Sequence, residues 1–185
     1  MMDETSNDAE LMARLAAGEM SALGELARKY QTKVLELAFR TLGAWDIAED
    51  IAQETFLRVY RAAKSYKPTA RFTTWLYRIV INLCLDEQRK RAKNGMPLEP
   101  EIYEQLPVSN GNPAEKQEIA ASVRAAIYAL PERQRLAVVL HRYNGLNHAE
   151  ISEATGWSHS AVESLLVRAY ANLRDKLVKL KNILE

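Results

Sequence analysis

The sequence lacks what several classes of protein require. Cys84 is the single cysteine, so an intramolecular disulfide is impossible, and the three histidines stand too far apart along the chain to form a metal-binding motif. No apolar run approaches the roughly 18 residues that span a bilayer, and the acidic N-terminus lacks the layout of a secretion signal. We therefore expect a cytoplasmic protein without a membrane span, metal or cofactor, in which Cys84 is buried and inert.

The features of a common enzyme active site are also missing. No Cys-His pair, Ser-His-Asp set or phosphate-cradling glycine loop is visible, and His148 and Glu150 lie at a predicted helix start, where Glu150 serves as a cap. We therefore expect no catalysis of a covalent step.

Glycine is scarce, with seven in 185 residues. Apolar residues make up 48% of the chain and recur mostly at spacings of three and four, which is typical of amphipathic helices rather than strands. The length suffices for one compact domain or two small ones. We therefore predict an all-α protein.

The few prolines are concentrated in one segment. Residues 94–113 hold four of the six prolines, together with three glutamates and no basic side chain. A connection of this length without helical pattern is uncommon inside a compact domain, and its composition is that of a linker. We predict two small helical domains, residues 1–93 and 114–185, joined by a flexible linker over 94–113.

The net charge of +1 conceals an uneven distribution. Residues 1–54 carry eleven acidic and five basic side chains, whereas residues 55–93 carry two acidic and ten basic ones. Residues 94–123 are acidic again, with five acidic side chains and one basic, and residues 124–185 hold nine basic and six acidic ones. Such blocks indicate more than one partner, because an acidic surface favours a basic protein and a basic surface favours phosphate.

Start and stop signals divide both domains into helices. Capping boxes are predicted at Asn7–Glu10, Asp46–Glu49 and Asn147–Glu150, and Gly18, Gly43 and Gly156 are predicted stops. The expected helices cover about residues 7–17, 20–42, 46–64 and 71–93 in the first domain, and 114–129, 131–143, 147–155 and 159–180 in the second.

The last two helices have the layout of a helix-turn-helix, with Gly156–Ser158 as the turn. One side of the final helix is apolar, and the other presents small, polar or charged groups that suit a major groove. These groups are His159, Ser160, Glu163, Ser164 and Arg168. Short helical hairpins also occur in proteins that never touch DNA, so the pattern alone leaves both interpretations open.

Two helices of the first domain have faces that fit a partner. In the fourth helix, Phe72, Trp75, Leu76, Ile79 and Leu83 form an apolar stripe, and Thr74, Arg78, Asn82, Asp86 and Arg89 form a polar one. In the third helix, Asp50, Gln53, Glu54 and Leu57 share a side that can dock a basic helix or simply be solvated. Cations at the end of the fourth helix suit the helix dipole as well as an anion.

Three motifs in this order resemble the extracytoplasmic-function sigma factors of bacteria. They are Asp46-Ile-Ala-Glu-Asp-Ile-Ala-Gln-Glu-Thr-Phe-Leu-Arg-Val-Tyr60, Phe72-Thr-Thr-Trp-Leu-Tyr-Arg-Ile-Val-Ile-Asn82, and Leu130-Pro-Glu-Arg-Gln-Arg135 before the helix-turn-helix. Each motif is degenerate, but the set is specific and extends from about residue 10 to 178. The resemblance implies a promoter-specificity subunit that binds core RNA polymerase and assists strand opening, with an anti-sigma protein as a further partner.

The resemblance also implies roles for individual residues. Polymerase contacts would be made by Asp50, Gln53, Glu54 and Leu57. The melted minus-10 strand would be held by Arg71, Phe72, Thr74, Asn82, Asp86 and Arg89. Trp75, by contrast, lies on the apolar stripe of the fourth helix, and that position predicts that it packs in the core. The minus-35 duplex would be read by His159, Ser160, Glu163, Ser164 and Arg168.

The chain departs from the family pattern in its recognition helix. Ser160-Ala-Val-Glu-Ser164 replaces a frequent Gly-Thr-Val followed by a basic residue and Ser, and Leu165 replaces a frequent basic residue. Two phosphate or base contacts are thus missing, and the promoter sequence does not follow from other members. The alternative to a sigma factor is a helix-turn-helix regulator or adaptor that does not replace sigma.

Overall fold

The computed structural model describes the backbone of residues 3–95 and 113–184, and every regular element in these ranges is helical. The helices are α1 (Asp3–Ala16), α2 (Met20–Leu42), α3 (Trp45–Ala62), α4 (Phe72–Lys93), α5 (Pro113–Tyr128), α6 (Glu132–Val138), α7 (His148–Thr155) and α8 (His159–Leu184). A 3₁₀ turn, Ala63–Ser65, follows α3, and a π-helical turn, Val139–Tyr143, continues α6. The all-α class is confirmed. Most of the predicted linker, residues 96–112, lies outside the described residues.

The N-terminal half, residues 3–95, is built around α2. This helix packs against α1, α3 and α4 because its apolar residues recur on the sides that face them. Leu26, Tyr30, Val34 and Leu37 are all buried. Gly43 ends α2 in the left-handed conformation, at a φ of 81°, and its amide donates to the Phe39 carbonyl at 2.7 Å.

Two of the predicted capping boxes are wrong. The first helix begins at Asp3, so Asn7 lies inside it, and α3 begins at Trp45 rather than after Asp46. Asp46 instead accepts from the amide of Ile47 at 2.8 Å. Glu49 accepts from the Trp45 indole nitrogen at 2.9 Å, and such side-chain contacts compete with a cap that spacing alone suggests.

Asp8 joins α1 to α2 inside the N-terminal half. Its carboxylate is 3% exposed and accepts from the Tyr30 hydroxyl at 2.5 Å and from the Lys29 ammonium at 2.7 Å. A buried carboxylate is tolerated when it is paired and hydrogen-bonded in this way. At the turn between the same two helices, hydrogen bonds from Arg14 lower the pKa of Glu19 to about 2.

The C-terminal half, residues 113–184, contains the predicted helix-turn-helix. The third predicted capping box is confirmed, since the Glu150 amide donates to Asn147 Oδ1 at 3.0 Å and the Asn147 amide donates to Glu150 Oε2 at 2.9 Å. Gly156 ends α7 at a φ of 73°, and residues 156–158 lead into α8. Helix α8 packs against α5, α6 and α7 through the predicted apolar stripe.

The two halves pack against each other, with α7 lying on α4. At the other end of this contact, the Tyr128 hydroxyl donates to the Phe39 carbonyl at 3.0 Å, and the Arg40 guanidinium lies 4.1 Å from the centre of the Tyr143 ring. Buried apolar residues of both halves form one continuous cluster. Within the described residues, no helix combines the length and apolarity needed to cross a bilayer.

Candidate protein-binding and nucleic-acid interfaces

The predicted protein-binding face of α3 is accessible. Its residues follow one another at spacings of three and four, which brings them to the same side of the helix. Asp50 and Gln53 are exposed, Leu57 is 49% exposed and Glu54 is half-buried. The Glu54 carboxylate is paired with Arg58 at 3.0 Å and with Arg61 at 3.6 Å. The two guanidinium groups partly neutralise the negative charge that Glu54 presents to a binding partner.

Tyr60 extends this face by one turn and was missed as a candidate. Its apolar character places it with the core residues in the sequence pattern, yet its side chain is 47% exposed. The signal that identifies it is its position three residues after Leu57, which puts the two side chains on neighbouring turns of one side. The face therefore offers two adjacent apolar groups beside its polar ones.

The polar residues in the second part of α4 are also accessible. Asn82, Asp86 and Arg89 are exposed and lie along one side of the helix. Arg89 Nη1 is 3.2 Å from Asp86 Oδ1, so this carboxylate and this guanidinium form an exposed ion pair. Such a pair contributes little to stability and can exchange its partners for those of a ligand.

The beginning of α4 is largely covered. Phe72 is 2% exposed, and its ring centroid lies 5.3 Å from that of Tyr30, 5.6 Å from that of Trp75 and 6.1 Å from that of Tyr66. Thr74 is 3% exposed and does not lie on the solvated polar stripe. Phe72 is thus part of the aromatic core, whereas Thr74 faces a cavity at the contact between the halves.

That cavity has a volume of about 80 Å³ and lies between the loop before α4 and the first two turns of α4. It is lined by Tyr66, Lys67, Thr69, Ala70, Thr74, Trp75 and Arg78 of the N-terminal half and by Glu153 of α7. Aromatic rings and cations together suit an unstacked base and its phosphate. Trp75 packs edge-on against Tyr66, with ring centroids 4.9 Å apart, so its packing role and a place in the cavity wall coexist.

Arg71 is the residue immediately before α4 and is engaged by the other half. Its Nη1 lies 3.0 Å from Glu150 Oε1, and its side chain is 63% exposed. The other oxygen of Glu150 accepts from the Asn147 amide, so one carboxylate both caps α7 and holds Arg71. This contact between residues 79 positions apart is not readable from the sequence.

The predicted DNA-reading side of α8 is fully presented to solvent. His159, Ser160, Glu163, Ser164 and Arg168 are all exposed. Arg168 Nε donates to the Ser164 carbonyl at 3.1 Å, a bond within the helix that a base or phosphate can replace. Leu165, where a basic residue is frequent in the family pattern, is 9% exposed and belongs to the core.

The three histidines, distant in the sequence, lie next to one another beside the N-terminus of α8. The ring centroids of His141 and His148 are 5.7 Å apart, as are those of His148 and His159. His141 Nδ1 is 2.9 Å from the Tyr170 hydroxyl, whose pKa is raised by burial. Within the described residues, no group of three or more possible ligands has an arrangement suited to a metal ion.

Comparisons with protein families place two known regions on this chain. A family profile described as sigma-70 region 2 matches residues 26–94, which cover most of α2 and all of α3 and α4. A second profile, described as sigma-70 region 4, matches residues 120–173, which cover most of the C-terminal half.

Relatives with curated names match nearly the whole chain. The ECF RNA polymerase sigma factor SigE of Mycolicibacterium smegmatis is 37% identical over 180 residues, covering 96% of this chain and 70% of that protein. The ECF RNA polymerase sigma factor SigW of Bacillus subtilis is 31% identical, covering 86% and 91%. The ECF RNA polymerase sigma-E factor of Escherichia coli is 31% identical, covering 95% and 97%.

Solved structures have the same fold. CnrH in complex with the cytosolic domain of CnrY superposes with a TM-score of 0.71 at 24% identity, covering 94% of this chain and 98% of that one. The sigma factor RpoE of Bartonella quintana, in complex with the anti-sigma factor NepR, also gives 0.71, at 19% identity and with 83% and 95% covered. At these identities the likeness concerns the fold.

Proposed function

This chain belongs to the extracytoplasmic-function sigma factors of RNA polymerase, and we propose that three of its surfaces divide the family's task. The protein is a transcription initiation factor that binds core RNA polymerase, directs it to specific promoters and assists their opening. Because sigma-70 regions 2 and 4 are both present, these comparisons support this function over that of a regulator that does not replace sigma.

The face of α3 is the proposed polymerase contact. Asp50, Gln53, Glu54 and Leu57 lie together on it, and the exposure of Leu57 supports a role in binding rather than in the core. A half-exposed leucine next to acidic side chains suits a basic, amphipathic helix of a partner. Tyr60 joins this surface in the proposal because it continues the apolar part.

The cavity before α4 is the observation that supports the minus-10 assignment best. A flipped base loses stacking worth a few kcal/mol, and rings such as Trp75 and Tyr66 next to Lys67 and Arg78 can compensate for it. Arg71, Asn82, Asp86 and Arg89 are the proposed direct contacts of the melted strand. Thr74 would join them once the cavity is open, and Phe72 would support the rings from beneath.

Helix α8 is the proposed reader of the minus-35 duplex. His159, Ser160 and Glu163 occupy its first two turns, where side chains of a recognition helix reach base edges. Ser164 and Arg168 lie one and two turns after Ser160 and are assigned to the groove wall and the phosphate backbone. Leu165 is buried and is therefore not proposed to contact DNA.

The decisive experiment is in vitro transcription with core polymerase and no other sigma factor. The protein is expected to give initiation at a defined start site, selected from a library of promoters. Failure of every template to support initiation, while the protein still co-elutes with core polymerase, would contradict the promoter assignments. Failure to co-elute would contradict the assignment of α3.

Further parts of the proposal concern partners and organisation. We assign residues 1–93 to polymerase and minus-10 binding, 94–113 to a linker and 114–185 to minus-35 binding. An anti-sigma protein is a proposed partner, supported by the solved complex of similar fold between the sigma factor RpoE and the anti-sigma factor NepR. The protein is proposed to act in the cytoplasm, where polymerase and promoter are found, and to catalyse no covalent step. Purification of this protein together with the proteins bound to it, followed by mass spectrometry, tests whether an anti-sigma protein is among its partners.

A further inference from the structure

The three histidines form a row beside the proposed DNA-reading helix, and the function proposed above uses His159 alone. The ring centroid of His148 lies 5.7 Å from those of both His141 and His159. The sum of these two distances is below the roughly 12 Å width of a major groove. His159 is exposed, and the other two rings are half-buried. The row therefore extends the surface of α8 by a length that one wall of the groove can follow.

The row lies at the N-terminal ends of both helices of the helix-turn-helix. His148 is the first residue of α7 and His159 the first residue of α8. The amides at a helix N-terminus carry partial positive charge and attract anions such as phosphate. In a helix-turn-helix the first helix crosses the DNA backbone, while the first residues of the second helix reach base edges. His148 therefore lies where the backbone of the strand that His159 contacts is expected to pass.

The acidic groups near the row leave its imidazoles free for an external anion. Glu150, two residues after His148, accepts from Arg71 at 3.0 Å and from the N-cap amide of α7 at 2.9 Å, so both of its oxygens are engaged. On α8, Glu163 is exposed and lies one turn after His159. Among the ion pairs that the described side chains form, none includes a histidine. A phosphate can therefore take the place of an acidic partner.

The other groups around the row are a hydroxyl and a guanidinium. His141 Nδ1 is 2.9 Å from the Tyr170 hydroxyl of α8. Burial raises the pKa of that hydroxyl and the charge of Arg142 only partly opposes the rise, so the hydroxyl is neutral at physiological pH. A neutral hydroxyl can donate or accept, so it stays bonded to His141 whether that ring is neutral or protonated. Arg142 is exposed and adds positive charge near the row.

We propose that His148, with His141 next to it, binds a backbone phosphate of the minus-35 duplex and takes up a proton from the solvent as it does so. The inference rests on the function proposed above for α8. Histidine is the side chain whose charge ordinarily changes between pH 5 and 8, and a phosphate in contact with the ring favours the protonated form. Because binding then consumes a proton, the affinity for duplex DNA rises as the pH falls from about 7.5 to about 6.

The test measures duplex binding at two pH values. Full-length protein without a histidine tag is titrated into a fluorescent DNA duplex of randomised sequence, with EDTA and at constant low salt, and anisotropy is followed at about pH 6 and about pH 7.5. A randomised duplex suffices because a phosphate contact carries no sequence information. His148→Gln cannot be protonated, whereas His148→Lys is charged at both pH values. Arg168→Ala, which removes a proposed phosphate contact that does not titrate, is the matched control.

The unmodified protein is expected to bind about three- to fivefold more tightly at the lower pH, which is the upper part of the range for one exposed charged contact. His148→Gln should bind with nearly the same, weaker affinity at both pH values, and His148→Lys with nearly the same, tighter affinity. Arg168→Ala should bind more weakly at both pH values but keep the ratio of the unmodified protein. Circular dichroism at both pH values establishes that each variant is folded.

The ratio between the two affinities decides the outcome. No pH dependence in the unmodified protein, or the same ratio in either His148 variant as in the unmodified protein, would overturn the inference, and His148→Lys gives this decision if His148→Gln does not fold. If the ratio is unchanged while Arg168→Ala binds more weakly, the histidine inference alone has failed. If Arg168→Ala and both His148 variants bind like the unmodified protein, the assignment of α8 to duplex DNA has failed as well.

Discussion

Leu57 is the side chain on which polymerase binding is expected to depend most. Leu57→Arg places a charge in an interface built around an apolar group, and hot-spot losses of 2 kcal/mol or more weaken binding at least about 30-fold. Because Leu57 is 49% exposed, stability should change little. Co-elution with core polymerase measures the loss. Met20→Arg, at a residue that is 54% exposed on α2, is the matched control and should bind normally.

Asn82 is proposed to act in strand opening and not in polymerase binding, so a substitution there should separate the two activities. It is exposed on α4, and Asn82→Ala changes neither charge nor core. We expect polymerase association to be unchanged and promoter opening, followed by permanganate reactivity of unpaired thymines, to fall about tenfold, which corresponds to roughly 1.4 kcal/mol. Equal losses in both assays would show that the substitution acts on folding.

Cys84 is expected to be unreactive in the folded protein. Burial raises the pKa of its thiol to about 12, so the reactive thiolate is absent at neutral pH. Because the pKa of the thiol is higher in the folded than in the unfolded protein, only the unfolded protein ionises as the pH first rises above about 8.5. The free energy of unfolding should therefore be constant below about pH 8.5 and fall as the pH rises from there towards 12. Alkylation at about pH 8 should be slow until urea is added. Alkylation at the same rate in folded and unfolded protein would contradict this.

At the scale of single elements, α7 shows how a short helix depends on its cap. Asn147→Ala removes the bond to the Glu150 amide and is expected to lower the free energy of unfolding by about 1 kcal/mol. Urea denaturation should show a lower midpoint with an unchanged slope. Asn147→Ser keeps a capping oxygen and should restore most of the loss. An unchanged midpoint for Asn147→Ala would show that packing alone holds α7.

At the scale of the whole molecule, the contact between the halves should be adjustable without unfolding either half. Tyr128→Phe removes the hydrogen bond to the Phe39 carbonyl, worth about 1 kcal/mol, while keeping the ring in place. The expected result is lower energy transfer between dyes attached at Gln31→Cys of α2 and Arg174→Cys of α8, both exposed positions, in a Cys84→Ala background, with unchanged helical content. Unchanged transfer would show that this bond does not help to hold the two halves together.

Individual elements show how far prediction from the sequence extended. Helix α2 begins at Met20 and ends at Leu42 as predicted, since its apolar spacing and Gly43 are both local signals. The predicted capping boxes at Asn7 and Asp46 failed because Asn7 lies inside a longer α1 and α3 begins one residue early, with Glu49 engaged by the Trp45 indole. The π-helical turn at Val139–Tyr143 had no sequence signal, since it replaces a regular turn inside an otherwise ordinary helical pattern.

The helices, their buried stripes, the helix-turn-helix and the family could be predicted from the sequence, because spacing, caps and motif order are properties of neighbouring residues. The burial of Thr74, the proximity of the three histidines and the ion pair of Glu150 with Arg71 become visible in the folded protein alone. These features join residues far apart in the chain, and no local pattern encodes which surfaces of two small domains come together. How accessible the proposed minus-10 surface is therefore depends on how the two halves pack, and no stretch of sequence shows it.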